Sequence, residues 1–269
     1  MTAPAVPTVA PLTRSKLAWA VSDGMTMTKR TLIAYTRIPE ALFFTLVQPL
    51  MFVLLFRYVF GGAIVLPPPL HYVDILIPGI FVQTLVFGAV GTAIGLSEDL
   101  HKGVIDRFRA LPMARSAVLA GRTTADLLKN IPVALVIFAM GLLVGFRPHG
   151  SIVNMVLATL LLLFFSYAIS WGFAIIGLTA PTAEAAQLMS FPLLFPLTFA
   201  SGAFAPTESM PSWLRGFADH QPVGALVHST RSLMLGQPVG SYVWESLAWS
   251  AGLLVLFSTI AVRRYRRIT

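Results

Sequence analysis

Long apolar blocks recur along the whole chain, separated by shorter polar segments. A helix needs about 20 mostly apolar residues to cross the hydrocarbon core of a bilayer. Six blocks approach this length, at 41–60, 73–97, 131–146, 152–178, 185–204 and 242–262. The third is the shortest, but a more polar helical extension reaches back from it to residue 116. The pattern predicts an all-α integral membrane protein whose six transmembrane helices lie within residues 39–262.

Between the second and third blocks, residues 98–112 form an amphipathic segment. Apolar side chains recur there at helical spacing, while the opposite face carries charges of both signs. Glu98, Lys102 and Asp106 are four residues apart and can pair along a helix. The segment is either a helix on the lipid head groups or a coupling helix that docks into a cytoplasmic partner. The mixed charges favour the protein partner.

Three further segments flank or interrupt the predicted transmembrane domain. Residues 16–38 are amphipathic and predict an interfacial elbow helix. Two roles are equally compatible with this helix: simple anchoring to the membrane, and contact with an ATPase. Residues 205–241 are too long for a plain turn and predict an external re-entrant region of short helices, with a floppy loop as the alternative. Residues 1–15 predict a disordered tail without the apolar core of a signal peptide, and residues 263–269 a basic cytoplasmic end.

Composition and charge support the membrane class. Of the 269 residues, 56% are hydrophobic and only 11% are charged, whereas an average soluble domain is about 25% charged. The net charge of +8 comes from short basic clusters between the apolar blocks, which argues against a nucleic-acid partner. If the amino terminus is cytoplasmic, only four of the 19 Lys and Arg residues fall outside: Arg57, Arg147, Arg215 and Arg231. The positive-inside rule then predicts a multi-pass plasma-membrane protein with both termini in the cytoplasm.

The sequence lacks the motifs of an enzyme site. It contains no Gly-Lys dipeptide, so no G-x-x-x-x-G-K-[ST] phosphate loop is present. There is no cysteine, no H-E-x-x-H motif and no G-x-S-x-G elbow. We therefore expect neither an enzyme nor a metal site or cofactor in this chain, and we expect ATP and Mg to be bound by a partner subunit.

Ionisable residues are missing from the apolar centres of the six blocks. Asp74, Glu184 and Glu245 lie at block ends, where they can cap helices. Asp126 lies between Arg122 and Lys129 and is interpreted as part of a local ion pair. Because ion-coupled transporters need buried ionisable groups in the membrane, this pattern favours an external energy source.

The second and fifth blocks offer apolar surface that suits a hydrophobic or amphipathic cargo. Glycines recur in the second block and two prolines break the fifth. The candidate cargo residues are Gln83, Phe87, Met189, Phe195 and Phe199. For any single one of them, packing against lipid or another helix is an equally good explanation.

Two segments resemble a known family. The stretch GLSEDLHKGVIDRFRALPMARSAVLAGRTTADL, within 78–130, resembles the cytoplasmic coupling region of type-2 ABC exporter permeases, particularly the daunorubicin-resistance group. The stretch SGAFAPTESMPSWLRGFADHQPVGALVHSTRSLMLG, at 201–236, resembles the external re-entrant region of that group. Its matching positions are Met210, Pro211, Trp213, Gln221, Pro222 and Arg231.

The resemblance implies a permease that forms a dimer, with an identical or a related copy, and binds an ABC ATPase subunit at the coupling helix. It implies cargo export by alternating access near the dimer interface. The coupling residues that it indicates are Glu98, Asp99, Lys102, Gly103, Asp106, Arg107, Phe108 and Arg109. The family's cargo includes drugs, lipids and polysaccharides, of which a drug or lipid best fits the short external loops. An ion-coupled transporter or channel and a non-transporting scaffold are the competing hypotheses.

Overall fold

A computed structural model describes residues 16–37, 39–64, 70–104 and 115–268. Within these ranges the chain is helical and contains no strand, as the apolar blocks predict. The helices are α1 Lys16–Thr36, α2 Pro39–Leu55 with a π-helical continuation Phe56–Phe60, α3 Tyr72–Phe87, α4 Val90–His101, α5 Arg115–Leu143, α6 Ile152–Gly177, α7 Ala183–Phe199, α8 Ser212–His220, α9 Pro222–Leu235 and α10 Tyr242–Ile268.

Four segments in the described part of the chain are long and apolar enough to cross a membrane. They are Tyr72–His101, Ser116–Leu143, Ile152–Gly177 and Tyr242–Arg267, which correspond to the second, third, fourth and sixth predicted spans. The first predicted span contains a shorter apolar helix, Thr45–Phe60. The fifth predicted span coincides with α7, which has 17 residues and is therefore about 25 Å long. The count of six transmembrane helices thus stays a prediction.

The second span consists of two consecutive helices. Helix α3 ends at Phe87 and α4 begins at Val90, with a turn at Gly88 and Ala89 between them. Most of α3 is buried, from Tyr72 through Val86, because α5, α6, α7 and α9 pack around it. The second span is therefore the centre of the core, and the other helices form its shell.

Helix α1 packs along the first half of α5. The Thr28 hydroxyl donates to the carbonyl oxygen of Gly121 over 3.2 Å, and Met27 and Thr31 are buried in the contact. Gly121 permits this approach because a Cβ there would overlap the side chain of Met27. The predicted helix at 16–38 is present, but its position relative to a membrane surface stays a prediction.

The segment after α7 contains two short helices, as its mixture of apolar, Pro and Gly residues predicts. Gln221 joins them: its Oε1 accepts from the backbone N–H of Val223, at 2.9 Å, and its Nε2 donates to the Leu197 carbonyl, at 2.7 Å. Pro222 follows at the first position of α9, where the missing N–H costs no helical hydrogen bond. Helix α9 is mostly buried against α3, α6 and α10.

Candidate functional site

A cavity of about 580 Å³ opens beside the turn that divides the second span. Its walls come from α2, α3, α4, α5 and α7, and they combine aromatic, amide and small side chains. The lining residues include Gln48, Phe52, Gln83, Thr84, Phe87, Gly88, Gly91, Lys129, Asn130, Gln187 and Phe191. An apolar cavity with a few polar groups is the usual form of a small-molecule site.

Gln83 supplies an unusual group to this cavity. The residue is 2% exposed, yet its Oε1 has no hydrogen-bond partner among the described residues. A buried acceptor without a partner is destabilising and calls for an explanation. The Oε1 atom is itself buried, so the side chain would have to rearrange before this oxygen could contact a molecule in the cavity.

Two rows of phenylalanines extend from the cavity along α2 and α7. Each row has i, i+4 and i+8 spacing, which places its rings on one helix face. The rows are Phe52, Phe56 and Phe60 on α2, and Phe191, Phe195 and Phe199 on α7. Phe204 joins them, with ring centroids 4.7 Å from Phe56 and 4.9 Å from Phe199. We call these seven residues the phenylalanine series.

The predicted cargo residues fall into three groups. Gln83 and Phe87 line the cavity. Phe195 and Phe199 belong to the phenylalanine series, and the Phe195 ring is 5.9 Å from that of Phe87. Met189 lies on α7, is 46% exposed, and does not line the cavity. None of these positions is tested for cargo contact, so their role stays a prediction.

A buried charge cluster borders the cavity through Lys129. Asp126 is fully buried and lies 3.5 Å from Arg122 and 3.4 Å from Lys129, measured between side-chain oxygen and nitrogen atoms. The Tyr35 hydroxyl donates to the same carboxylate, as does that of Thr92. We call these five residues the Asp126 cluster. The predicted ion pair of Asp126 is thus present, but it also unites α1, α4 and α5.

Further contacts fix the positions of the two cationic side chains of the Asp126 cluster. Arg122 donates to the Gly91 carbonyl over 2.8 Å, and the cationic groups of Arg122 and Lys129 lie 5.5 and 4.9 Å from the Tyr35 ring centroid. Burial raises the pKa of the Tyr35 hydroxyl above its ordinary value, and Asp126 acts in the same direction. Tyr35 therefore keeps its proton and remains a donor to the carboxylate.

The predicted coupling residues lie partly at the end of α4. Glu98 and Lys102 form the predicted i, i+4 ion pair, at 2.7 Å, and this hydrogen bond raises the pKa of Lys102. Asp99 pairs with Arg30 of α1 at 3.1 Å, a contact that spacing along the chain gives no means of predicting. Gly103, with φ of +66°, adopts the left-handed conformation that glycine tolerates best.

The coupling helix predicted at 98–112 differs from the structure at its start. Helix α4 continues without interruption to His101, and the chain turns at Lys102 and Gly103. Glu98 and Asp99 therefore belong to the last turn of the second-span helix. The remaining predicted coupling residues, Asp106, Arg107, Phe108 and Arg109, lie outside the described residues.

The predicted external residues have identifiable structural roles. Met210 and Pro211 link a short 3₁₀ turn to α8, and Trp213 on α8 is 75% exposed. Gln221 and Pro222 begin α9, as described above. Arg231 donates to the carbonyl oxygens of Gly202, at 2.7 Å, and Ile75, at 3.3 Å, and so ties α9 to α3.

Sequence reasoning missed the α2 half of the phenylalanine series and the partners of Asp126. The spacing of Phe52, Phe56 and Phe60 is visible in the sequence and was a usable signal. Tyr35 and Thr92 carry no such signal, because they reach Asp126 from helices that are far away in the chain. Among the described residues, no group of three or more His, Asp or Glu side chains could hold a metal ion.

A family model, that of the ABC-2 type transporter, matches residues 24–235. This range includes the cavity, the phenylalanine series and the Asp126 cluster. The chain belongs to the ABC-2 type transporter family. It is an integral membrane protein and the permease subunit of an ABC exporter, and the family implies a separate ABC ATPase as its partner.

Similar proteins of this ABC-2 family come from bacteria and from an alga. The daunorubicin resistance ABC transporter permease protein DrrB1 of Streptomyces coeruleorubidus is 36% identical over 94% of this chain and 89% of its own length. The probable doxorubicin resistance ABC transporter permease protein DrrC of Mycobacterium tuberculosis is 25% identical, over 97% and 94%. The putative transport permease ycf38 of Cyanophora paradoxa is 27% identical, over 79% and 74%. The resemblance seen in the sequence is confirmed, and the ion-coupled alternative is not supported.

Proposed function

We propose that this permease exports a hydrophobic or amphipathic drug through the cavity at the centre of the chain, by alternating access. The observation that carries the proposal is the cavity, lined by aromatic and amide side chains, from which the phenylalanine series leads away. The cavity offers apolar walls for the body of such a molecule and polar side chains, such as Gln48, Thr84 and Asn130, for its polar groups. The two relatives named for daunorubicin and doxorubicin resistance support a drug over a lipid.

The phenylalanine series gives the cargo a path between the cavity and the other end of α7. Ring centroids along α7 are 5.7 Å apart for Phe191 and Phe195 and 5.4 Å apart for Phe195 and Phe199. Phe195 and Phe199 are 47% and 41% exposed, so part of each ring is accessible to an aromatic ring of the cargo. Aromatic pairs stabilise such contacts by about 0.5–1.5 kcal/mol beyond apolar burial.

Truncation of two of these rings tests the path. In inverted vesicles that contain the permease and its ATPase, we expect Phe195→Ala/Phe199→Ala to reduce ATP-dependent daunorubicin accumulation about tenfold, because two ring contacts are lost. Leu160→Ala is the matched control, since Leu160 is an exposed apolar residue of α6 outside the series. Equal accumulation in both variants would exclude the phenylalanine series as the path.

The proposed ATPase contact lies at the end of α4, where Glu98 pairs with Lys102 and Asp99 pairs with Arg30 of α1. From there, motion passes along α4 to the Asp126 cluster, which contacts the cavity through Lys129. We further propose that two copies, identical or related, enclose the pathway, because α2 and α7 leave exposed apolar side chains such as Met51, Leu188 and Leu193. Both termini then lie in the cytoplasm, beside the ATPase.

A charge swap tests the contact between α1 and α4. Arg30 and Asp99 are partly exposed, so their pair contributes about 1 kcal/mol or less to stability. We expect Arg30→Asp or Asp99→Arg alone to reduce cargo-stimulated ATP hydrolysis several-fold, with little change in the unfolding temperature, and the double swap to restore most of it. If the double swap is as inactive as the single variants, the pair is not a coupling contact.

A further inference from the structure

A second cavity, of about 480 Å³, lies at the opposite end of the helices from α1 and from the end of α10. It is bounded by the end of α2, the start of α3, the end of α5 and the end of α9. Four basic side chains line it: Arg57, His71, Arg147 and His149. No residue of the predicted cargo pathway or of the Asp126 cluster contributes to it.

The one carboxylate in this cavity is already engaged. Asp74 Oδ2 accepts from the backbone N–H of His71 at 2.9 Å, and the two residues form a capping box at the start of α3. Its side chain is 11% exposed. Among the described residues, no carboxylate lies within ion-pair distance of Arg57 or Arg147. The cavity therefore has a surplus of positive charge.

Both guanidinium groups are anchored at the end of α5 and on the turn that follows it. Arg57 Nε donates to the Val144 carbonyl at 3.4 Å, while Arg147 Nη1 donates to the carbonyls of Leu142, at 2.8 Å, and Phe146, at 3.0 Å. These bonds hold both guanidinium groups at the point where α5 ends. A guanidinium has five N–H donors, so these bonds use one edge of each group and leave the other edge for a ligand.

The side chains that line the cavity indicate the chemistry of its ligand. Two guanidinium forks recognise the oxygens of a phosphate in a bidentate manner, and the amino-terminal end of α3 adds a positive helix dipole. Leu70, Val73 and Leu235 supply an apolar wall that suits the glycerol or acyl part of a lipid. The cavity also lies where the candidate spans begin and end, which is the depth of the lipid head groups.

We infer that this cavity is a phosphate-binding site, and that the phosphate is carried by a phospholipid head group or is free in solution. Basic residues are scarce at this end of the protein, where only four of the 19 Lys and Arg residues are expected, yet two of those four converge here. His71 is engaged with Asp74, whose carboxylate lies 3.8 Å from its Nδ1, but the second edge of each arginine and the side chain of His149 have no such role.

Binding to the purified full-length chain in an uncharged detergent tests the site. The probes are phosphatidylglycerol, a galactosyl diacylglycerol with the same acyl chains, and inorganic phosphate at constant ionic strength, each titrated while the unfolding temperature is measured. We expect phosphatidylglycerol to raise the unfolding temperature and the uncharged galactolipid to leave it unchanged. Saturation by inorganic phosphate as well would identify free phosphate as a sufficient ligand, and its failure would assign the site to the lipid.

Variants connect the binding to the cavity. We expect Arg57→Gln/Arg147→Gln to weaken phosphatidylglycerol binding at least about tenfold. His149→Glu, at an exposed position where folding is not at risk, should weaken it similarly by placing a carboxylate in the cavity. Arg215→Gln is the control, because Arg215 lies on α8, pairs with Asp219 and does not line the cavity. The inference is overturned if the galactolipid binds equally well, or if both cavity variants bind like the control.

Discussion

Asp126→Asn is expected to abolish cargo-stimulated ATP hydrolysis and to destabilise the permease by about 3–5 kcal/mol. The carboxylate is fully buried and is the shared partner of Arg122 and Lys129, whose side chains are 14% and 10% exposed. An amide of the same size leaves two buried cations without a counter-charge. Unfolding temperature in a fixed detergent and ATP hydrolysis by the reconstituted complex measure the two effects.

Two further variants separate stability from coupling. Glu245→Gln removes a carboxylate that is one-third exposed and pairs with His220, so it should cost less than about 1 kcal/mol. Replacement of the whole charged set by apolar groups, Arg122→Met/Asp126→Leu/Lys129→Met, should recover much of the lost stability but not the coupling. If Asp126→Asn retains both the unfolding temperature and the stimulated activity, the Asp126 cluster has no part in transmission.

Gly79→Ala is expected to destabilise the protein by about 3 kcal/mol, because a single methyl group overpacks a rigid contact. A Cβ at Gly79 would overlap the carbonyl group of Ala203. That segment cannot move away easily, since Tyr72 donates to the Phe204 carbonyl at 2.9 Å and Arg231 to the Gly202 carbonyl at 2.7 Å. The unfolding temperature and the yield of folded protein in detergent report the loss.

Gly252→Ala provides the opposite case on α10. No atom lies within 4 Å of the Cβ that it adds, so the better helix propensity of alanine should stabilise the protein by about 0.5–1 kcal/mol. Equal unfolding temperatures for the two variants would mean that the contact between Gly79 and Ala203 is not tight in solution.

The sequence predicts the helices well, because their boundaries follow from local rules. The apolar blocks at 152–178 and 185–204 mark α6 and α7 within a few residues of their observed ends, and the structure shows that Ser151 and Thr182 cap the two helix starts. The start of the coupling segment is less well predicted, since Glu98 and Asp99 have helical neighbours on both sides and their charge alone does not end α4. Only Gly103 with its positive φ marks the turn.

The sequence predicts several residues of the candidate site but not the long-range contacts between them. Gln83 and Phe87 are visible as a polar and an aromatic position in a glycine-containing span, and both line the cavity. The contact of Asp126 with Tyr35 spans 91 residues of chain, and that of Arg30 with Asp99 spans 69. Such contacts depend on how α1 packs against α5, and the hydrophobic periodicity of the sequence does not predict this packing.

The turn at Gly88 and Ala89 gives the second span two separate attachments. One half, α3, is bonded to the segment after α7 through Tyr72 and to α9 through Arg231, whereas the other half, α4, is bonded to α5 through Thr92. We expect that a displacement of α4 would change the shape of the cavity beside the turn, while these bonds hold α3 in place.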